Sequence, residues 1–296
     1  MTENSIFRGA ATALITPLTA DGIDYESFGR IIDWQIESGI DGLVICGTSG
    51  EGSTLSDKEH REALDFAIQR ADGRVPMIAG TGSNDIAYGI DLTKFACEIG
   101  YDAVLVVTPY YNKATQNGLI KSYMATADAS SKPCILYNVP SRTGVNIEPA
   151  TYDILADHPM IQGIKEANGN IAKIVETMSI VGDRLDLYSG NDDEIVPLLS
   201  VGGSGVISVL SNVFPKETSL MCKKFFEGDA KGALELQFKY FKLIKALFSE
   251  VNPIPVKAAM AAMGFCEDYL RLPLTPMEDA HKEVLLQCMR EQGLNV

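Results

Sequence analysis

Basic clusters, paired cysteines and long apolar runs are all missing from this chain. Its 25 Lys and Arg face 39 Asp and Glu, a formal charge of −14, and no stretch gathers the basic residues together. That argues against nucleic acid as a partner. No apolar run approaches the ~18 residues of a membrane-spanning helix, so no membrane partner is expected. The opening Met1-Thr2-Glu3-Asn4-Ser5 has neither the basic nor the apolar region of a secretory leader. The six cysteines are scattered and form no C-x-x-C pair. Cys46 and Cys134 fall inside apolar runs, where a free thiol behaves as a small hydrophobe. Such usage fits a reducing, cytoplasmic setting. Three well-separated histidines leave no basis for a His-rich metal site.

What the chain does have is alternation. Short apolar runs rich in β-branched residues occur at 11–17, 42–46, 77–80, 103–108, 134–138, 161–165, 185–189 and 205–209. They are continuously apolar, as parallel strands covered on both faces should be. Between them lie amphipathic stretches with helix start signals. Asp24 precedes one, Ser56-Asp57-Lys58-Glu59 has the form of a capping box, and Ser83-Asn84 and Asn168-Gly169-Asn170 precede two more. Gly39, Gly73, Gly100 and Gly182 stand where helices should stop. Eight strand–helix units predict a closed (β/α)8 TIM barrel. An open doubly wound sheet would carry G-x-G-x-x-G after its first strand, whereas Leu18-Thr19-Ala20-Asp21-Gly22 follows here. After residue 228 the pattern turns purely helical, over 230–249, 255–263 and 277–292, broken by Asn252-Pro253-Ile254-Pro255 and Leu272-Pro273-Leu274-Thr275-Pro276. This predicts a catalytic barrel over 1–228 and a C-terminal helical extension over 229–296. The extension either assists oligomerisation or covers one end of the barrel.

A barrel places its reactive groups at the C-terminal ends of several strands. The sixth run ends in Lys165. Burial there disfavours the ammonium and yields an amine nucleophilic toward carbonyl carbon. Solvent exposure, or pairing with Glu166, is the bland alternative. The second run ends in Gly47-Thr48-Ser49-Gly50-Glu51, whose backbone N–H groups suit a small carboxylate or phosphate; taken alone, it equally suits a helix-capping turn. The fourth ends in Thr108-Pro109-Tyr110-Tyr111-Asn112 and the fifth in Tyr137-Asn138-Val139-Pro140-Ser141-Arg142. A phenol followed five residues later by a guanidinium suits a proton shuttle beside a carboxylate clamp. The seventh run ends in Ser189-Gly190-Asn191-Asp192, and the eighth contains Gly205-Val206-Ile207-Ser208, small enough to border a ligand. Convergence on one rim is the informative feature, because residues kept only for packing would scatter along the strands.

These motifs resemble the dihydrodipicolinate synthase/N-acetylneuraminate lyase family of class I, Schiff-base aldolases, from about Phe7 to the C-terminal helices. Gly47-Thr48-Ser49-Gly50-Glu51 is similar to the family's pyruvate loop, and Tyr137 and Lys165 match its tyrosine and imine-forming lysine. Tyr110-Tyr111-Asn112 and Ser141-Arg142-Thr143-Gly144 resemble the synthase branch, which condenses pyruvate with L-aspartate 4-semialdehyde on the diaminopimelate route to lysine. The resemblance implies Lys165, Tyr137, Thr48 and Tyr111 as catalytic residues. It implies Thr48, Ser49, Arg142, Gly190 and Ile207 as substrate-binding residues. It also implies no metal or organic cofactor, and a homotetramer in which Tyr111 enters the neighbouring subunit's site. Other pyruvate-dependent aldolases of the family, acting on 2-keto-3-deoxy sugar acids, 4-hydroxy-2-oxoglutarate or N-acetylneuraminate, would share the pyruvate half. Arg142 favours a short carboxylated aldehyde over a polyol. A non-catalytic sensor of a small acid is the alternative from another class; the intact Lys165–Tyr137–Thr48 set argues against it.

Lysine-inhibited members share a cleft of two histidines, an asparagine, a glutamate and a tyrosine. His60, Asn84 and Tyr110 stand at matching places, but Asp57 replaces the other histidine and Tyr88 the glutamate. A phenol is a weaker partner for the inhibitor's ammonium, so weak or absent inhibition by L-lysine is expected.

Overall fold

The structure, a computed structural model, describes residues 5–296; residues 1–4, part of the Met1–Ser5 opening read above, lie outside the described residues. Eight strands form the barrel: β1 Gly9–Ala13, β2 Gly42–Ile45, β3 Met77–Gly80, β4 Ala103–Val107, β5 Cys134–Asn138, β6 Ile161–Glu166, β7 Asp186–Ser189 and β8 Gly205–Ser208. All neighbours pair in parallel, in chain order, and β8 closes on β1. The (β/α)8 barrel read from the alternation is therefore the observed fold.

The first strand is displaced from its expected place. The apolar run continues through Leu14, Ile15 and Leu18, all buried, but the ladder begins at Gly9 and ends at Ala13. Hydrophobicity marked burial there rather than pairing. Residues 14–18 are covered from outside the barrel, and Leu18–Thr19 pairs with Gly22–Ile23 in a small hairpin that the sequence did not reveal.

The helix signals act as expected. Asp24 caps helix Tyr25–Glu37 by accepting from Ser27 N–H. Ser56 and Glu59 form a reciprocal capping box at the start of helix Asp57–Ala71. Asp85, one residue past Ser83-Asn84, caps helix Ile86–Glu98, and Asn170 caps helix Ile171–Val181.

Two apolar compartments result. The barrel interior holds Phe7, Ala11, Val44, Ile78, Leu105, Ile135, Tyr137, Tyr188 and Ile207. Phe7 and Tyr188 stack at 4.2 Å and close its lower end. A larger core lies between strands and helices, and takes in Tyr240, Leu243, Val256, Ala259 and Leu285 from the three C-terminal helices Ala230–Leu247, Ile254–Ala262 and Asp279–Glu291. These helices pack onto the barrel, and the segment between the last two returns to the C-terminal rim, where Arg271 pairs with Glu59. Among the described residues, no helix is long and apolar enough to cross a membrane.

Candidate active site

Strand pairing decides which side chains meet at the rim. The β5–β6 ladder begins with Cys134 opposite Ile161, then slips by one residue so that Ile135 faces Gly163. Such a bulge changes which residues stand side by side. It puts Tyr137 opposite Lys165, and Asn138 opposite Glu166. On the other side Lys165 stands opposite Tyr188 of β7. The lysine thus lies between two aromatic side chains of the barrel interior, with Nζ 4.2 Å from the Tyr137 ring centroid.

This setting alters the amine. Lys165 is only 5% exposed. Burial pulls its pKa down to about 7; the nearby Asp192 carboxylate opposes that fall and the Arg142 charge adds to it. A neutral amine is therefore accessible near neutrality, as nucleophilic attack on a carbonyl requires. Burial also raises the Tyr137 phenol above its ordinary 10, while Arg142 and a hydrogen bond with Thr48 pull the other way. Thr108 Oγ1 donates to the Tyr137 carbonyl at 3.1 Å and fixes the strand end beneath the phenol.

A cavity of about 630 Å³ opens over this rim, within the range of small-molecule sites. Thr48, Tyr137 and Arg142 line it, as do His60, Asp57, Tyr88 and Tyr110. The candidate catalytic rim and most of the candidate inhibitor cleft therefore share one space. Lys165 lies behind the Tyr137 ring rather than on the cavity wall. Ser49 is buried, Ile207 belongs to the barrel interior, and Gly190 packs against the lysine, where an added Cβ would stand 3.2 Å from Lys165 Cε. Asn84 does not line the cavity. Tyr111 is 88% exposed, with a left-handed φ of 71°, and takes no part in the site within its own chain. Its outward aim is unusual for an aromatic residue in a strained backbone conformation.

In the neighbouring cleft, His60 Nε2 lies 2.9 Å from the Gly80 carbonyl, and burial holds its imidazole below the usual 6.5. Asp57 is engaged by Arg61 at 2.9 Å and by the Tyr88 phenol.

Several contributors were not legible in the sequence. Asp192 is buried; its Oδ2 accepts from Val209 N–H at 3.0 Å and Leu210 N–H at 2.9 Å. It places negative charge near Lys165, yet read as one more acidic residue after a glycine. Glu166 points away from the barrel interior and accepts from Asn138, Tyr152 and the Asn168 N–H, while burial raises its pKa to about 7. Asn252, read only as a helix breaker, donates to Ser49 Oγ at 3.1 Å and accepts from Arg142 through its carbonyl at 3.0 Å. One imidazole–carboxylate group was also unforeseen: Glu250, Glu278 and His281 bring ligand atoms within 4.8 Å, and the His281 ring lies 2.8 Å from Glu250 Oε1.

This geometry has counterparts in known proteins. The family model described as "Dihydrodipicolinate synthetase family" matches residues 6–292. A 4-hydroxy-tetrahydrodipicolinate synthase from Lachnoclostridium phytofermentans is 52% identical over 292 residues, covering 98% of this chain and 99% of the relative. The same-named protein of Clostridium perfringens is 47% identical over 289 residues, with 98% and 99% covered. Among solved structures, dihydrodipicolinate synthase from Acinetobacter baumannii complexed with pyruvate superposes with a TM-score of 0.94 at 41% identity, covering 97% of this chain and 99% of that one. With the barrel, the buried lysine and its tyrosine neighbour in place, the chain belongs to the dihydrodipicolinate synthetase family.

Proposed function

We propose that this chain is a Schiff-base lyase that condenses pyruvate with L-aspartate 4-semialdehyde to give 4-hydroxy-tetrahydrodipicolinate, the first committed step toward diaminopimelate and lysine. The observation that carries this reading is Lys165, a buried amine with its pKa near 7, facing Tyr137 at the C-terminal rim. Near-full-length relatives named for this activity support the choice of second substrate.

The chemistry follows from the groups present. The neutral Lys165 amine adds to the ketone of pyruvate, and loss of water leaves an imine. The imine nitrogen draws electrons from the adjacent methyl, which gives up a proton to form an enamine. The enamine carbon attacks the aldehyde of the semialdehyde and makes the carbon–carbon bond. The semialdehyde's amino group then attacks the imine carbon, closes the ring and releases Lys165. A tyrosine whose pKa lies above 10 is a slow base alone. Tyr137 therefore acts as a shuttle, with the Thr48 hydroxyl as its hydrogen-bonded neighbour and Tyr111 of an adjoining subunit completing the path to solvent. Thr48 and Ser49 N–H groups hold the pyruvate carboxylate, and Arg142, on the cavity wall, holds that of the semialdehyde. Gly190 and Ile207 border the pyruvate side.

Of the described residues, those up to 228 form the catalytic barrel and 229–296 the extension, which reaches the rim through Asn252. The assembly is a homotetramer. Supporting this, Tyr111 and Leu272 are 88% and 80% exposed, and Phe238 and Phe241 form an exposed stripe on helix Ala230–Leu247. Apolar surface of this kind marks contact with another chain. Six free cysteines support a reducing, cytoplasmic setting.

Borohydride reduction in the presence of pyruvate tests the chemistry: a reduced pyruvyl adduct on Lys165 with loss of activity is expected, and unlabelled protein refutes it. Turnover of the semialdehyde is then compared with that of sugar-acid aldehydes; preference for the latter refutes the substrate choice. Sedimentation at micromolar concentration that returns a monomer refutes the shared site.

A further inference from the structure

The loop after β2 is tied down by a buried ion pair for which the reaction sequence has no use. Glu51 ends the Gly-Thr-Ser-Gly-Glu run with φ at 53°, a left-handed backbone that long side chains rarely adopt. Its N–H donates to the Thr48 carbonyl at 3.2 Å and closes the turn that presents Thr48 and Ser49. Glu51 is among the residues that line the cavity, and its carboxylate is buried against the C-terminal helices. There Lys257 Nζ, on helix Ile254–Ala262, lies 2.7 Å from Glu51 Oε1, with both side chains almost wholly buried. The contact is an ion pair rather than a well-directed hydrogen bond.

The pair belongs to a closed circuit. Lys257 Nζ also donates to the Thr16 carbonyl at 2.6 Å, and Thr16 Oγ1 donates to the Gly50 carbonyl at 2.8 Å. Gly50 precedes Glu51, so the circuit returns to the loop where it began. Arg271 N–H adds a donor to Glu51 Oε2 at 3.2 Å. The loop has little freedom to absorb a change. A Cβ on Gly52 would stand 2.3 Å from the Cys46 carbonyl oxygen, and one on Gly50 would stand 3.1 Å from the Cys46 and Leu14 backbones. Movement of Glu51 is therefore passed to Thr48 and Ser49.

Stability alone is a poor account of this pair. Apolar residues of similar volume serve a buried site as well as an ion pair or better, whereas loss of one partner is strongly destabilising. We propose that Glu51 and Lys257 are positioning residues: their buried pair clamps the loop so that the Thr48 and Ser49 N–H groups meet the pyruvate carboxylate, which makes the C-terminal extension part of the pyruvate site. The proposal rests on the pyruvate reading above and assigns a task to two residues outside the reacting atoms.

The test compares wild type with Lys257→Met, Glu51→Gln and the double variant Glu51→Gln/Lys257→Met. The readout is the pyruvate concentration giving half-maximal borohydride trapping on Lys165, followed by intact mass. Thermal midpoints and the KM for L-aspartate 4-semialdehyde are measured alongside. The double variant leaves no unpaired charge and so recovers much of the melting temperature lost by either single change. Its half-saturating pyruvate concentration is nonetheless expected to rise about tenfold, the effect of weakening one charge-assisted hydrogen bond. The semialdehyde KM at saturating pyruvate should move less than about threefold. Thr16→Val keeps the charges but opens the circuit, and should raise the pyruvate requirement even where the charge variants fail to fold. Wild-type pyruvate saturation in the folded double variant, or in Thr16→Val, overturns the clamp. Absence of a pyruvyl adduct in wild type overturns the functional reading instead.

Discussion

Gly190→Ala adds one methyl group at the most crowded point beside the catalytic lysine. The ideal Cβ would stand 2.8 Å from Ala167 Cβ, 3.2 Å from Lys165 Cε and 3.2 Å from the Glu166 carbonyl oxygen. Carbon atoms in comfortable contact are about 3.5–4.0 Å apart, so something must move by roughly 0.7–1.2 Å. Ala167 has no torsion with which to yield. The Glu166 carbonyl is strand backbone and already accepts from Gly190 N–H at 2.7 Å. The lysine chain and the loop after β7 must therefore take up the strain. Gly190 is not in the left-handed region, so no backbone penalty confuses the result. Overpacking of this kind costs about 1–3 kcal/mol in stability, and a displacement of about 1 Å at a reacting group costs up to about 100-fold in rate. Single-turnover trapping of pyruvate by borohydride, with a thermal melt, measures both. Gly118→Ala is the control: its Cβ would meet only Ala114 at 3.4 Å and Thr115 at 3.5 Å, ordinary contacts with neither Lys165 nor the loop after β7. Wild-type trapping and turnover in Gly190→Ala would refute this placement of Lys165 against the loop.

Other outcomes follow from the same geometry. Pyruvate trapping should climb with pH through about 7 and level off above it, since burial brings the Lys165 amine to that value; a climb continuing toward the ordinary 10.5 would contradict the buried setting. Between about pH 7 and 10.5 the unfolded chain keeps a proton that folded Lys165 has lost, so this group makes stability rise with pH. Lys165→Met should remove that slope from denaturant titrations. Arg142→Ala should raise the KM for L-aspartate 4-semialdehyde by about 10–100-fold, the loss of a charged hydrogen bond, while pyruvate trapping falls by less, since Arg142 reaches that side only through its charge near Lys165 and through Asn252; equal loss for both substrates would count against the assigned role. L-lysine should inhibit weakly or not at all, because Tyr88 offers a phenol and Asp57 is engaged by Arg61; half-inhibition at sub-millimolar lysine in initial-rate assays would overturn this.

The sequence by itself determined the barrel, the rim and the amine. Continuous apolar runs can bury both faces only in a covered parallel sheet, and their spacing left room for one helix each. Asp24, Ser56 and Asn170 announced helix starts because their side chains satisfy N–H groups nearby in the chain. Lys165 stood out because an ammonium ending an apolar strand is costly to bury, and burial there turns it into a nucleophilic amine. The first strand was misplaced because Leu14 and Ile15 are buried beyond the end of the barrel ladder, and apolar pattern reports burial alone.

Only the tertiary structure decided what surrounds that amine. The slip between Cys134 and Ile135, which sets Tyr137 beside Lys165, depends on how two strands dock and leaves no mark in either. Asn252 and Lys257 reach the loop after β2 from the C-terminal extension, and Asp192, just past β7, sets its carboxylate near Lys165 only once the barrel closes. Local pattern records interactions over a few residues. Charge near a buried amine, and the clamp on a substrate loop, are interactions across space, so they come into being only with the closed barrel and its C-terminal helices.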